Sequence, residues 1–130
     1  MKKKIYVITG SRADYGLMQN LINKFHKDKN IDLKIFATGM HLSPEFGNTY
    51  KEILNDGFKI EKKIKILNSS DTPIAISKST GLGVMGFGKI FNSYKPDLLI
   101  VLGDRYEIMA AVMAANFHHI PVAHIGGGDT

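Results

Sequence analysis

The sequence predicts an α/β fold, a parallel sheet covered by helices on both faces. Three observations predict it. Short β-rich runs alternate with segments of helical periodicity along the whole chain. Repeated strand–helix units of this kind give a parallel sheet, because each helix carries the chain back to start the next strand in the same direction. One run, Asp97–Leu102 (DLLIVL), is continuously apolar after its aspartate, as expected of a strand buried on both faces.

Each element follows from its local pattern. Lys4–Thr9 (KIYVIT) is a short strand closed by Gly10. Residues 13–26 carry Leu17, Met18, Leu21, Ile22 and Phe25 at helical spacing. Ile31–Thr38 is a second strand, closed by Gly39. Residues 44–56 form a helix with Pro44 near its start and Gly57 just past its end. Phe58–Ile66 (FKIEKKIKI) alternates apolar and polar residues, which suits a strand near a sheet edge. Residues 72–93 read as a glycine-rich helix, Asp104–Phe117 as a strongly apolar one, and Ile120–Ile125 as a last strand.

Composition excludes several classes. The 130 residues are 44% hydrophobic and 22% charged, which suits one packed domain over residues 1–130 and not a disordered segment. No apolar run approaches the ~20 residues of a membrane span. Met1–Lys4 leads into too short an apolar stretch for a secretory signal. Cysteine is absent, so disulfides and thiolate metal sites are excluded. This profile is that of a cytoplasmic protein of bacterial type, without a membrane partner. The net charge of +5 divides into +6 over residues 1–66 and −1 over 67–130. A basic half can attract nucleic acid or a phosphorylated small molecule. The lysines of 59–65 alternate with isoleucines, however, which assigns them to the solvent face of a strand and not to nucleic acid.

In such sheets ligands bind at the C-terminal strand ends, so the informative loops are 9–16, 39–44, 103–105 and 124–130. In the first, Gly10 permits a close backbone turn. Ser11 and Asp14 have capping-box spacing. Capping leaves Arg12 unexplained; a guanidinium beside a helix N-terminus makes a pyrophosphate site. Asp104 and Glu107 also have capping-box spacing, with Arg105 between them. A carboxylate there can cap the helix, move protons or steady a cationic sugar centre, and these roles are compatible. Asp129, after Gly126–Gly128, is either a second carboxylate of the site or a turn residue. The five histidines form no convincing metal set.

Gly81–Gly86 matches the dinucleotide pattern G-x-G-x-x-G, and Gly83–Lys89 matches most of a phosphate-binding loop. Both require a strand directly before the glycines. The polar Ser69–Thr80 does not supply one, and Ile90 replaces the hydroxyl of the second pattern. A helix whose glycines allow close packing is the simpler reading. An oxidoreductase domain binding NAD(P) through Gly81–Gly86 is the rival.

Taken together, TGSRADYG (9–16), TGMHLSPEFGNTY (38–50), KSTGLGVMGFG (78–88), KPDLLIVLGDRYE (95–107) and IPVAHIGGGDT (120–130) resemble the N-terminal domain of the hydrolysing UDP-N-acetylglucosamine 2-epimerases. The branch most alike is the one feeding sialic, legionaminic and related acids. The resemblance implies a Rossmann-like first domain of a two-domain, glycosyltransferase-B-like fold. It implies elimination of UDP from a UDP-2-acetamido sugar, then addition of water, with no nicotinamide cofactor and no essential metal. By matching position, Arg12 and Arg105 contact the nucleotide diphosphate, Gly10 and Gly16 let the backbone reach it, and Asp104 is catalytic. Relatives often carry a glutamate where this chain has Gly126; Asp129 lies nearby as a substitute. The resemblance further implies a homo-oligomer at full length and a C-terminal domain beyond Thr130. The 130-residue chain alone is expected to be inactive. A non-catalytic module that binds nucleotide sugars or a partner is the second rival.

Overall fold

The computed structural model describes residues 2–10, 12–38, 50–58, 60–64, 72–102 and 106–125. They form nine elements: β1 (Lys3–Thr9), α1 (Arg12–Lys27), β2 (Ile31–Thr38), α2 (Tyr50–Asn55), β3 (Ile60–Ile64), α3 (Pro73–Ser93), β4 (Leu98–Leu102), α4 (Tyr106–Phe117) and β5 (Val122–Ile125). The strands make one sheet in the order β3-β2-β1-β4-β5, with every neighbouring pair parallel. The α/β expectation holds, and β3 lies at an edge as its alternating pattern implies.

Strand alternation sorts the core into two layers. Tyr6 and Ile8 of β1, Phe36 of β2, and Leu99 and Val101 of β4 face α3 and α4, where Phe87, Ile90, Phe91, Ile108 and Ala111 close the layer. Ile5, Val7, Ile35 and Ile100 face the opposite way, onto Ile22 of α1 and Ile53 of α2. The period of two along each strand thus feeds both helical layers, and the central strands need apolar residues at every position. Ring pairs tighten the first layer: Tyr6 and Phe36 lie 5.1 Å apart between centroids, and Phe87 and Phe91 lie 6.2 Å apart.

Helix ends account for most differences from the expected boundaries. Thr72 is the N-cap of α3, with its Oγ1 accepting from the Ala75 N–H at 3.3 Å, and Pro73 follows in the first turn. The expected helix over 72–93 therefore begins one residue later. After α4, the Ile120 N–H donates to the Ala115 carbonyl and the His119 N–H to the Asn116 carbonyl, with His119 at φ 58°. This is a Schellman closure. It takes Ile120 out of the last strand, which starts at Val122. Gly57, at φ 89°, closes α2 in the same way, with Phe58 N–H donating to Ile53. The part of the expected 44–56 helix before Tyr50 lies outside the described residues. Asp97 remains outside β4 but is tied to β1: its N–H donates to the Lys4 carbonyl, and its Oδ2 accepts from the Lys4 N–H, both at 2.8 Å.

Gly81–Gly88 lie within α3. A dinucleotide loop needs its glycines at a strand-to-helix turn, and these are eight or more residues into a helix. The rival built on Gly81–Gly86 is therefore corrected by the fold. Among the described residues, no helix is long and apolar enough to cross a membrane.

Candidate active site at the switch point

Connections leave β1 towards one edge of the sheet and β4 towards the other. The chain runs from β1 out to β2 and β3, then returns through α3 to β4 on the far side of β1, and on to β5. The pair β1–β4 is therefore the topological switch point, and the crevice beyond its C-terminal ends is the place this architecture provides for a ligand. The helices leaving the two strands diverge there. Helix α1 joins the layer containing Ile22, and α4 joins the layer containing Ile108.

Register brings the sequence-predicted loops together. Ile8 pairs with Val101, Val101 with His124, and Leu102 with Ile125. The ends of β1, β4 and β5 are level, so the chain emerges from three adjacent strands spaced by ~4.8 Å. Gly10 is buried directly after β1, and Arg12 is the first residue of α1. Two helix N-termini, of α1 and α4, open at this edge and carry partial positive charge toward it.

Gly16 requires a correction. It was expected to free a loop backbone, but it lies inside α1 and is exposed, and a Cβ built on it meets nothing within 4 Å. Asp104, Arg105, Asp129 and Gly126 lie outside the described residues, as does Ser11. The structure fixes the strand ends from which their segments depart.

Three polar side chains at this edge are fully or almost fully buried and were not singled out for it. Thr9 and Thr38 end β1 and β2 at 0% exposure, and Glu107 sits in the first turn of α4 at 1%. The sequence treated Glu107 as a capping partner of Asp104. Its position relative to Ala111, Ala114 and Ala115, all buried, was the signal that it lies on the inner face of the helix.

The comparisons agree with this geometry. A sequence model of the UDP-N-acetylglucosamine 2-epimerase family matches residues 23–130. The GDP/UDP-N,N'-diacetylbacillosamine 2-epimerase (hydrolyzing) of Campylobacter jejuni is 44% identical over 98% of this chain and 33% of its own length. The UDP-N,N'-diacetylbacillosamine 2-epimerase (hydrolyzing) of Legionella pneumophila is 42% identical over 99% of this chain and 34% of its own. The crystal structure of the Neisseria meningitidis UDP-GlcNAc 2-epimerase, bound to UDP-GlcNAc, shares the fold. Its TM-score is 0.81 at 23% identity, over 97% of this chain and 33% of that one. The chain thus spans about a third of the length of the relatives it matches. With the family's pattern matched over most of its length, the chain belongs to the UDP-N-acetylglucosamine 2-epimerase family.

Proposed function

We propose that this chain is the N-terminal, Rossmann-like domain of a two-domain hydrolysing UDP-sugar 2-epimerase. One observation carries the reading: identity above 40% with two hydrolysing 2-epimerases runs over essentially the whole chain. The distribution of arginine supports it. The chain has fifteen lysines but only two arginines, Arg12 and Arg105. They follow β1 and β4, the two strands that border the switch point. Guanidinium is the side chain suited to forked recognition of a diphosphate, and lysine is not its equivalent.

In the proposed reaction a base removes the C2 proton of the sugar, and the C1–O bond to UDP breaks. This leaves a C1–C2 double bond. Water then adds its oxygen to C1, and a proton returns to C2 from the other face. The products are the 2-epimeric free sugar and UDP. Asp104 and Asp129 are assigned to the proton transfers, Arg12 and Arg105 to the diphosphate, and Gly10 to close backbone approach. No nicotinamide cofactor or metal enters this scheme. The substrate class is a UDP-2-acetamido sugar. The names of the two relatives favour a 2,4-diacetamido-6-deoxy sugar, on a route to nonulosonic acids of the sialic or legionaminic type. The same reading places the protein in the bacterial cytoplasm, as a homo-oligomer built through the outer faces of α3 and α4.

The test is to incubate the full-length protein with UDP-N,N'-diacetylbacillosamine, or with UDP-N-acetylglucosamine, in deuterated water. Release of UDP with one deuterium at C2 of the free sugar is expected. Asp104→Asn and Asp129→Asn should each lower kcat by roughly 100-fold or more. If neither nucleotide sugar releases UDP, the reading fails.

A further inference from the structure

The turn that closes α2 contains Asp56–Gly57. Asp56 is the one aspartate of the chain that precedes a glycine, and no asparagine does. An aspartyl carboxyl group is attacked by the main-chain nitrogen of the next residue most readily when that residue is glycine, which has no side chain to obstruct the approach. Both residues are exposed, and a Cβ built on Gly57 meets nothing within 4 Å. A ring closing between them therefore has open space. Two hydrogen bonds restrain the reacting atoms. The Gly57 N–H donates to the Leu54 carbonyl at 3.0 Å, which engages the hydrogen that the nitrogen must lose. Nε2 of Gln19, on α1, donates to Asp56 Oδ2 at 3.0 Å, which ties the carboxyl group to the neighbouring helix. The next residue, Phe58, is a core anchor. It is 6% exposed, its ring lies 5.3 Å from that of His26, and its N–H donates to the Ile53 carbonyl. The reactive bond thus joins an open turn to the layer under α1 and α2.

We propose that Asp56 is a site of spontaneous isoaspartate formation, and that Gln19 slows the reaction by holding the Asp56 carboxyl group. In the first step the Gly57 nitrogen bonds to Asp56 Cγ and loses its proton, and one carboxyl oxygen leaves as water. The product is a succinimide. Water then adds to one of the two ring carbonyl carbons, and the C–N bond at that carbon breaks. Opening at Cγ restores aspartate. Opening at the main-chain carbonyl carbon leaves the chain running through Cβ and Cγ, which is isoaspartate. The water released in the first step balances the water taken up in the second, and no other reactant enters. Isoaspartate puts one more main-chain atom between Leu54 and Phe58. The two hydrogen bonds that close α2 and the seat of Phe58 in the core then no longer fit together.

The experiment holds the full-length protein at neutral pH and physiological temperature for weeks. Isoaspartate is located by peptide mapping, where it shifts retention but not mass, and is counted by methyl transfer with an isoaspartyl methyltransferase. The expected result is isoaspartate at residue 56, accumulating faster in Gln19→Ala than in the wild type by about threefold or more, a factor that one exposed hydrogen bond supports. Asp56→Glu cannot close the same ring and should remove the signal at this position. Equal accumulation in wild type and Gln19→Ala overturns the role of Gln19, and absence of isoaspartate at residue 56 from both overturns the proposal as a whole. Should Gln19→Ala not fold, Gln19→Glu provides the reading. It keeps the shape and replaces the donor with an acceptor, and a wild-type rate in that variant overturns the role of Gln19 equally.

Discussion

Two residues with positive φ close two helices, and only one of them was legible. Gly57 after α2 is the residue this geometry favours, and its identity alone predicted the end of that helix. His119 does the same work after α4 with a side chain that pays for the left-handed region. Nothing in its identity announced a closure, so the last strand was expected to begin at Ile120. His119→Gly is therefore expected to stabilise the protein by about 1 kcal/mol, read as a rise of a few degrees in the thermal midpoint. An unchanged or lower midpoint would mean that the His119 side chain contributes contacts worth as much as the backbone strain. At the site, the same scale divides what was legible from what was not. Arg12 stood out because capping could not explain it. Glu107 did not, because capping explained it too easily, and only its burial in α4 separates the two roles.

Helix α3 shows how a local pattern can mislead at the scale of an element. Its glycines imitate two nucleotide-binding signatures, yet a 21-residue helix runs through them. Context decided the matter: the polar stretch before the helix is not a strand, and Thr72 caps the helix nine residues ahead of the first of these glycines. The glycines are also not alike. Gly83 is buried on the inner face, whereas Gly81 is exposed and Gly88 half-buried, and a Cβ at either of these two meets nothing within 4 Å. Close packing thus justifies Gly83 but not Gly81 or Gly88. Glycine costs a helix interior about 1 kcal/mol relative to alanine, so Gly81→Ala and Gly88→Ala should each raise stability by about that amount in denaturant unfolding. A nucleotide loop at these positions would instead lose ligand affinity on the same changes. Unaltered UDP binding in both variants is the expected result.

At the scale of the molecule, the pattern of strands and helices was readable, but the order of the strands was not. Periodicity shows which residues of β1 are buried; it cannot show that β4 lies beside β1 on the side away from β2, because that depends on which way α3 crosses the sheet. The switch point is a product of that crossing.

The same crossing lays α3 beside α4, with Phe91 of one helix meeting His118 at the end of the other at 6.2 Å between rings. Their outer faces carry Leu82 and Met85 on α3 and Met109, Met113 and Phe117 on α4, exposed by between 42% and 68%. Five large apolar side chains left exposed on two neighbouring helices are of the kind that marks an interaction surface. Spacing of four residues from Met109 to Met113 to Phe117 makes the stripe continuous along α4, and Lys78 and Lys89 are exposed on α3 as rim charges. Under the homo-oligomer proposed above, this is the face offered to a second copy, since an isologous contact needs a patch that can meet itself. In the full-length protein, Met113→Lys together with Phe117→Lys should convert the assembly to a monomer in sedimentation velocity. Both side chains point away from the core, so the thermal midpoint of the monomer itself should fall only by what the lost interface contributed, and that part should depend on protein concentration in the wild type. An assembly that sediments unchanged in the double variant would remove this face as the interface, while leaving the assignment of the switch-point crevice intact.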